Sequence, residues 1–358
     1  MRIAITAGGT GGHIFPALSV AKSIQKLDSS VELVWFGTER NREREVCEKN
    51  SIPIEMLNVS GIDRRNPISA ISAIIKMKLA IIKVYIYLMK NRVDSVIAFG
   101  GYVCAPVLIA AKLKGIPYYL QEQNCVPGLV NRLMSKWAVE IFLGLELAKG
   151  YELKAETKIT GNPVREKEQY GNFIFPDNIN RDKKTVLVCG GSQGAASMNK
   201  KLVEPVKAIL KKGYQVIWQT GVASFEEIKS SMGNMESIYI YETLDDLYPY
   251  YDIADILIGR SGASTLAEAA LFNLPAILIP LPWSAEDHQR KNAALAVALG
   301  WAIVVEQDDS CSENIIKYSN EILDSNDILD KMRASAKKAS PEKSANEIAK
   351  KLIGKGVR

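Results

Sequence analysis

The chain has 358 residues, 47% hydrophobic and 24% charged, with a formal net charge of +5. That length exceeds one ordinary core and suits two domains, and the composition excludes disordered and fibrous classes. So mild a positive balance suits an anionic ligand or an acidic membrane face; no nucleic-acid partner is expected from it.

In chain order, the first half alternates strands at 2–7, 31–37, 54–59, 93–99, 118–120, 140–143 and 158–160 with helices. The helices are expected over 13–27, 40–50, from Pro67, from about Ala105, and near 129–136. Alternation on this period predicts a parallel, doubly wound α/β sheet. Gly, Pro and Asn cluster at 160–165, ahead of a polar stretch to Lys184, and mark a boundary. The second half repeats the scheme, with strands at 185–189, 215–220, 237–241, 253–259 and 276–279. Its helices are expected at 195–212, around Glu226, and over 264–272, 289–300, 311–326 and 340–353. The domains are therefore read as 1–163, 164–340, and a terminal helix at 341–358 that docks back on the first domain. The five scattered cysteines, without a Cys-x-x-Cys, read as cytosolic thiols and no zinc site. No signal peptide is expected, and no apolar run suffices to span a bilayer.

Two loops share one pattern. Gly8-Gly9-Thr10-Gly11-Gly12 and Gly190-Gly191-Ser192-Gln193-Gly194 each follow a short apolar run and open a helix. A strand that breaks at glycines and feeds a helix N-terminus presents backbone N–H groups to an anion. Two such units imply two Rossmann-like domains facing a central ligand cleft. Either loop alone also fits close helix packing or dinucleotide binding. A third helix N-terminus opens at Ser261-Gly262-Ala263-Ser264, with Glu268 a turn inside. Glu268 can accept both hydroxyls of a ribose, or it can complete a capping box with Thr265.

Only two histidines occur. His13 opens the first helix, where the dipole favours neutral imidazole, fit for a general base; a plain helix cap is the alternative. Glu122 is a rival base for the same hydroxyl, or a structural carboxylate holding its loop. His288 is read as ordering the loop before Gln289.

Residues 66–92 form a basic, apolar helix behind Asn66 and Pro67. Lys76, Lys83 and Lys90 share one stripe, and Ile71, Ile74, Ile75, Ile82 and Met89 share another face. With Arg64 and Arg65 upstream, it reads as lying on an anionic membrane surface. The sequence leaves open whether Ile81, Val84 and Leu88 are covered.

These segments, with Phe99–Tyr102, Glu122–Asn124, 160–165 and 260–292, resemble the MurG family of N-acetylglucosaminyltransferases in order from residue 1 to about 300. Gln121 departs from the His common there. The resemblance implies the GT-B glycosyltransferase fold and inverting transfer of N-acetylglucosamine from UDP-GlcNAc to the 4-hydroxyl of undecaprenyl-diphosphate-N-acetylmuramoyl-pentapeptide. This is a peptidoglycan step at the cytoplasmic face of the membrane, with no cofactor and no metal. It further implies that Arg165 and Ser192 hold the diphosphate with the Gly191–Gly194 amides. Ala263, Ser264 and Thr265 would cradle phosphates, Leu244 would pair with uracil, and Glu268 with ribose. Gln289 and Asn124 would read sugar hydroxyls, and Thr10, Gly11 and Gly12 would approach the transferring sugar. Gln193 and Leu266 are further donor-side positions; Gly100, Gly101 and Tyr102 lie on the acceptor side. No Asp-x-Asp occurs, which fits metal-free leaving-group stabilisation. The alternatives are a glycolipid synthase or UDP-GlcNAc epimerase of the same fold, or a silent nucleotide-sugar sensor at the membrane.

Overall fold

The computed structural model describes residues 1–38, 43–61, 67–167, 173, 175, 179–190 and 195–354. The chain divides into two compact units, Met1–Arg165 with Glu342–Arg358, and Glu166–Pro341.

The first unit holds seven parallel strands: β1 (Arg2–Thr6), β2 (Glu32–Gly37), β3 (Ile54–Met56), β4 (Ser95–Ala98), β5 (Tyr118–Glu122), β6 (Ile141–Leu143) and β7 (Thr157–Ile159). Their order is β3-β2-β1-β4-β5-β6-β7. Side chains alternate across the sheet. Ile3, Ile5, Leu33, Trp35, Ile97 and Phe99 face a core closed by α1 (Gly11–Leu27). Ala4, Val34, Phe36, Val96 and Ala98 face a second core, closed by α3 (Pro67–Lys90) and α4 (Cys104–Lys114). Two apolar faces are what a parallel strand buried on both sides requires, at about 1.5–3 kcal/mol per fully buried large side chain. Between them in sequence come α2 (Glu43–Lys49), and after β5 a short α5 (Leu129–Met134).

The second unit has six parallel strands: β8 (Thr185–Cys189), β9 (Gln215–Gln219), β10 (Ile238–Tyr241), β11 (Ile256–Gly259), β12 (Ala276–Leu278) and β13 (Ala302–Val304). Their order is β10-β9-β8-β11-β12-β13. Its helices are α6 (Ala196–Lys211), α7 (Phe225–Met232), α8 (Tyr248–Ile253), α9 (Ala263–Leu271), α10 (His288–Ala298), α11 (Cys311–Leu323) and α12 (Asn326–Lys338). The final helix, α13 (Ser344–Gly354), belongs to the first unit. Its Ala345, Ile348, Ala349 and Leu352 join the core under α1, and Lys351 pairs with Glu140 at 2.7 Å.

Among the departures from the sequence expectation is α8, whose last residue, Ile253, was expected to open the strand at 253–259. The helix begun at Cys311 stops at Leu323 rather than 326, and α12 follows after two residues because Ser325 caps it, its hydroxyl accepting Ile328 N–H. Strand β13, at a sheet edge, was not among the expected strands.

Both sheets reverse winding direction once. The switch lies between β1 and β4 in the first unit and between β8 and β11 in the second. In doubly wound sheets, ligands bind beyond the strand ends at such points.

Candidate active site

Strand β1 ends at Thr6, and the chain turns through Gly8 and Gly9 into α1, with Thr10 extended at the N-cap. The Thr10 side chain makes no capping hydrogen bond, so it does not close off the first-turn amides of α1. Across the switch point, β4 ends in Phe99-Gly100-Gly101. Gly8 N–H donates to the Gly100 carbonyl at 3.3 Å, and a Cβ on Gly101, at φ +89, would collide with the Gly8 carbonyl. Gly100 and Gly101 thus let two loops touch, a packing need that explains both glycines. Tyr102 beside them is exposed and lies against Gly61.

His13 is half-buried in the first turn of α1. Its Nδ1 lies 2.8 Å from the Gly8 carbonyl. A carbonyl only accepts, so Nδ1 carries a proton, and in the neutral ring the lone pair is then on Nε2. That nitrogen faces Gly100, where an added Cβ would approach it to 2.9 Å.

Glu122, at the end of β5, is buried and accepts three hydrogen bonds. Oε1 accepts Asn124 N–H at 3.1 Å, while Oε2 accepts Gly128 N–H at 2.9 Å and Asn131 Nδ2 at 2.8 Å. Three donors on one carboxylate favour the loop-holding role over proton abstraction. Gln121 is buried beside it, donating to Asn162 Oδ1 and the Glu122 carbonyl, each at 3.3 Å, and accepting from Gln123. Asn124 is half-buried in the same loop.

In the second unit, Gly190 follows β8; Gly191, Ser192, Gln193 and Gly194 lie outside the described residues. At the end of β11 a Cβ on Gly259 would collide with the Cys189 carbonyl, so the two strand ends are pressed together. Arg260 is buried. Its Nη1 donates to the Ile279 and Pro280 carbonyls at 2.9 and 3.1 Å, and Nη2 reaches Ser197 Oγ in the first turn of α6 at 3.4 Å. Burial pulls its guanidinium down to about 10, and it stays cationic at neutral pH. Ser261 Oγ donates to the Gln289 carbonyl at 2.8 Å, and Gln289 Oε1 accepts Leu281 N–H at 3.0 Å.

Gly262 is the N-cap of α9. Thr265 therefore sits within the first turn, and Glu268 is too deep to complete a capping box; the helix has no first-turn acid. Glu268 is half-buried near Tyr251, whose hydroxyl is pushed well above the usual phenol range by burial first, then by Cys189 and Glu268. Ser264 and Thr265 are half-buried; Ala263 and Leu266 are buried, so only their backbones can meet a ligand. Leu244 N–H donates to Gln219 Oε1 at 3.2 Å, a bond that a base pairing there would replace. Arg165 is half-buried where the chain leaves the first unit. His288 Nδ1 lies 2.8 Å from the Ala285 carbonyl, next to left-handed Glu286 and Asp287, and so orders its loop.

Helix α3 has two apolar faces. Ala73, Ala80, Val84 and Leu88 are buried, the last three in the core that covers the sheet, with Ile81 half-covered. Ile71, Ile74, Ile75, Leu79, Ile82, Ile86 and Met89 are exposed, 45–62% of each reaching solvent, and exposed Lys78 lies within their stripe. Lys76 and Lys90 flank it. Lys83 does not serve as a free surface cation: its Nζ donates to the Met56 carbonyl at 2.7 Å and lies 3.7 Å from Glu55, because the helix packs beside β3. Arg64 and Arg65 lie outside the described residues. More apolar surface, unmarked in the sequence, is exposed at Leu113, Leu129, Leu133 and Trp137, with Lys112 Nζ 3.2 Å from the Trp137 ring centre. Among the described residues, no helix is long and apolar enough to cross a membrane.

Two residues had no expected role. Arg260 stood in a quoted motif, and its signal was an Arg directly after an apolar strand. Glu43, buried under the first glycine loop, gave no local signal because its partners lie 5 and 34 residues away.

The sequence matches the glycosyltransferase family 28 N-terminal domain over residues 3–143 and the glycosyltransferase family 28 C-terminal domain over residues 185–352. It is 33% identical over 343 residues, 94% of each chain, to the UDP-N-acetylglucosamine–N-acetylmuramyl-(pentapeptide) pyrophosphoryl-undecaprenol N-acetylglucosamine transferase of Bacillus subtilis. The crystal structure of Acinetobacter baumannii MurG superposes with a TM-score of 0.77 at 26% identity, covering 99% of both chains. A UDP-GlcNAc 2-epimerase from Neisseria meningitidis, bound to UDP-GlcNAc, superposes with a TM-score of 0.70 over 99% of this chain and 100% of that one. At 16% identity it shares the fold alone.

Proposed function

The chain belongs to glycosyltransferase family 28, and on that premise we propose that it transfers N-acetylglucosamine from UDP-N-acetylglucosamine to lipid-linked N-acetylmuramoyl-pentapeptide, converting lipid I to lipid II in peptidoglycan synthesis. Full-length identity to transferases of that name carries the assignment. The acceptor 4-hydroxyl oxygen attacks C1 of the donor sugar in line. The C1–O bond to the diphosphate breaks, its electron pair leaves on UDP, and the acceptor proton passes to His13 Nε2, inverting the anomeric centre. The Nδ1–H tautomer held by Gly8 supports His13 in this role, and the three donors on Glu122 weigh against its rival.

Most donor contacts are assigned to the second unit and the acceptor to the first, with Arg165, Asn124 and the Thr10–Gly12 loop as first-unit contributions to the donor. Backbone amides at Ala263–Thr265 and in the Gly191–Gly194 loop, with Ser192 and Arg165, take the diphosphate. At α9 the fixed dipoles of the helix N-terminus stabilise the leaving group without reorganisation. Glu268 accepts the ribose hydroxyls, freed from a capping role by the helix starting at Gly262. The Leu244 backbone meets uracil, and Gln289 and Asn124 read sugar hydroxyls. Thr10, Gly11 and Gly12 approach the transferring sugar, and Tyr102 borders the acceptor. The exposed stripe of α3 docks the enzyme, as a peripheral protein, on the cytoplasmic face of an anionic membrane, where a lipid-linked acceptor is available. A 2-epimerase has no use for such a stripe.

Incubation with labelled UDP-GlcNAc and a short-chain lipid-linked acceptor tests the reading. Transfer of label to the acceptor is expected. Epimer formed without acceptor would assign the alternative enzyme, and UDP binding without turnover would assign a sensor.

A further inference from the structure

Glu43 is fully buried at the start of α2. Its Oε2 accepts Thr38 N–H at 2.7 Å and the Thr38 hydroxyl at 3.1 Å, and its Oε1 accepts Gly9 N–H at 3.3 Å. A Cβ on Gly8 would collide with Oε1, so the glycine loop rests directly on the carboxylate. A carboxylate out of water persists where donors replace its hydration, and one of those donors here is the loop itself.

Gly9 N–H and Gly8 C=O are the two ends of one planar peptide unit. One end donates to Glu43, and the other accepts His13 Nδ1–H at 2.8 Å. We propose that Glu43 is a positioning residue for His13, acting through the Gly8–Gly9 peptide as a relayed carboxylate–histidine pair. The carboxylate polarises the peptide, which makes the Gly8 oxygen a stronger acceptor. This locks the proton on Nδ1, keeps the lone pair on Nε2, and stabilises the imidazolium formed when Nε2 takes the acceptor proton. The inference rests on His13 being the base.

In Glu43→Gln the single amide oxygen can serve Thr38 only by turning an NH2 toward Gly9 N–H, so the relay breaks. The expected result is a kcat lower by about 10- to 100-fold, with the KM for UDP-GlcNAc unchanged. In a His13→Ala background the same substitution should add no further loss. Because the chain has only two histidines, 15N-histidine labelling gives two imidazole signal sets, and His13→Ala identifies which is which. The wild type should show His13 protonated at Nδ1, and Glu43→Gln a tautomer mixture. Thr38→Val, which weakens the seat but keeps the charge, should move both readouts the same way by less, and serves if Glu43→Gln does not fold. An equal loss from Glu43→Gln with and without His13, or a His13 tautomer unmoved in either variant, overturns the proposal. If His13→Ala alone retains kcat, the base assignment fails instead, while the tautomer measurement still reports whether Glu43 controls the ring.

Discussion

At the end of β1 the chain breaks at Gly8 and Gly9 and presents a side chain, His13, with one ring nitrogen held by the loop's own carbonyl. At the end of β11 it breaks at Arg260–Gly262 and presents backbone instead: an α9 N-terminus without a side-chain cap, above a buried guanidinium that braces two strand ends and α6. Both loops stand beside the reversal in strand order of their own sheet. Topology supplies the place, and the proposed roles, proton transfer at one loop and anion binding at the other, rest on the residue types in each loop. The first loop is braced from below by a buried anion, Glu43, and the second by a buried cation, Arg260. Each sign matches the charge expected above it, imidazolium in one case and diphosphate in the other.

The largest effect that could break this contrast is on the chemical step. His13→Ala should lower kcat about 10²–10⁴-fold with the melting temperature nearly unchanged. Glu122→Gln should instead turn an NH2 toward one of its three donors, lowering stability by about 1–3 kcal/mol while turnover largely persists. If His13→Ala survives in turnover and Glu122→Gln does not, the base is Glu122. Next in size, Glu268→Ala should weaken donor binding by roughly 1.5–3 kcal/mol and narrow the preference for UDP over GDP and TDP. Unchanged nucleotide affinity in the folded variant would leave Glu268 without a ligand role.

A smaller effect separates the two faces of α3. Replacing Lys76, Lys78 and Lys90 by Gln should weaken binding to anionic vesicles by about 1 kcal/mol per cation, with little change on neutral vesicles. Lys83→Gln should matter less, because its ammonium is held by Met56 and Glu55. Vesicle binding indifferent to the triple substitution and to lipid charge would move the docking surface elsewhere. Smallest of all, turnover of a water-soluble acceptor should be unchanged in EDTA; a metal-reversible loss would contradict diphosphate neutralisation by Arg165, Ser192 and the helix N-termini.

Which of these parts were readable in advance follows from the range of the interactions. The first glycine loop, the strands that precede both glycine loops and the histidine at the start of α1 are contiguous, so spacing alone displayed them. Two readings of Glu268 competed until the helix start was fixed three residues earlier than Thr265, at Gly262. For Glu122 the sequence left a base and a loop-holding carboxylate both open, because nothing local shows that Gly128 and Asn131 converge on it. Lys83 shared a heptad stripe with Lys76 and Lys90, yet a strand 27 residues away claims it. Glu43 was invisible for the same reason: its partner Gly9 lies 34 residues upstream, brought close only when β1 and β2 pair. Strand β13 went unread, and α12 was absorbed into the preceding helix, although Ser325 marked its start.

The proposed function divides the labour, giving the chemical step to the β1 loop and the donor to the β11 loop. Its most direct test is one parallel measurement on His13→Ala and Glu268→Ala, recording UDP affinity by calorimetry and the single-turnover rate at saturating UDP-GlcNAc. His13→Ala should keep wild-type UDP affinity and lose the rate. Glu268→Ala should lose affinity and keep most of the rate once saturated. Affinity and rate falling together in both variants would contradict the account.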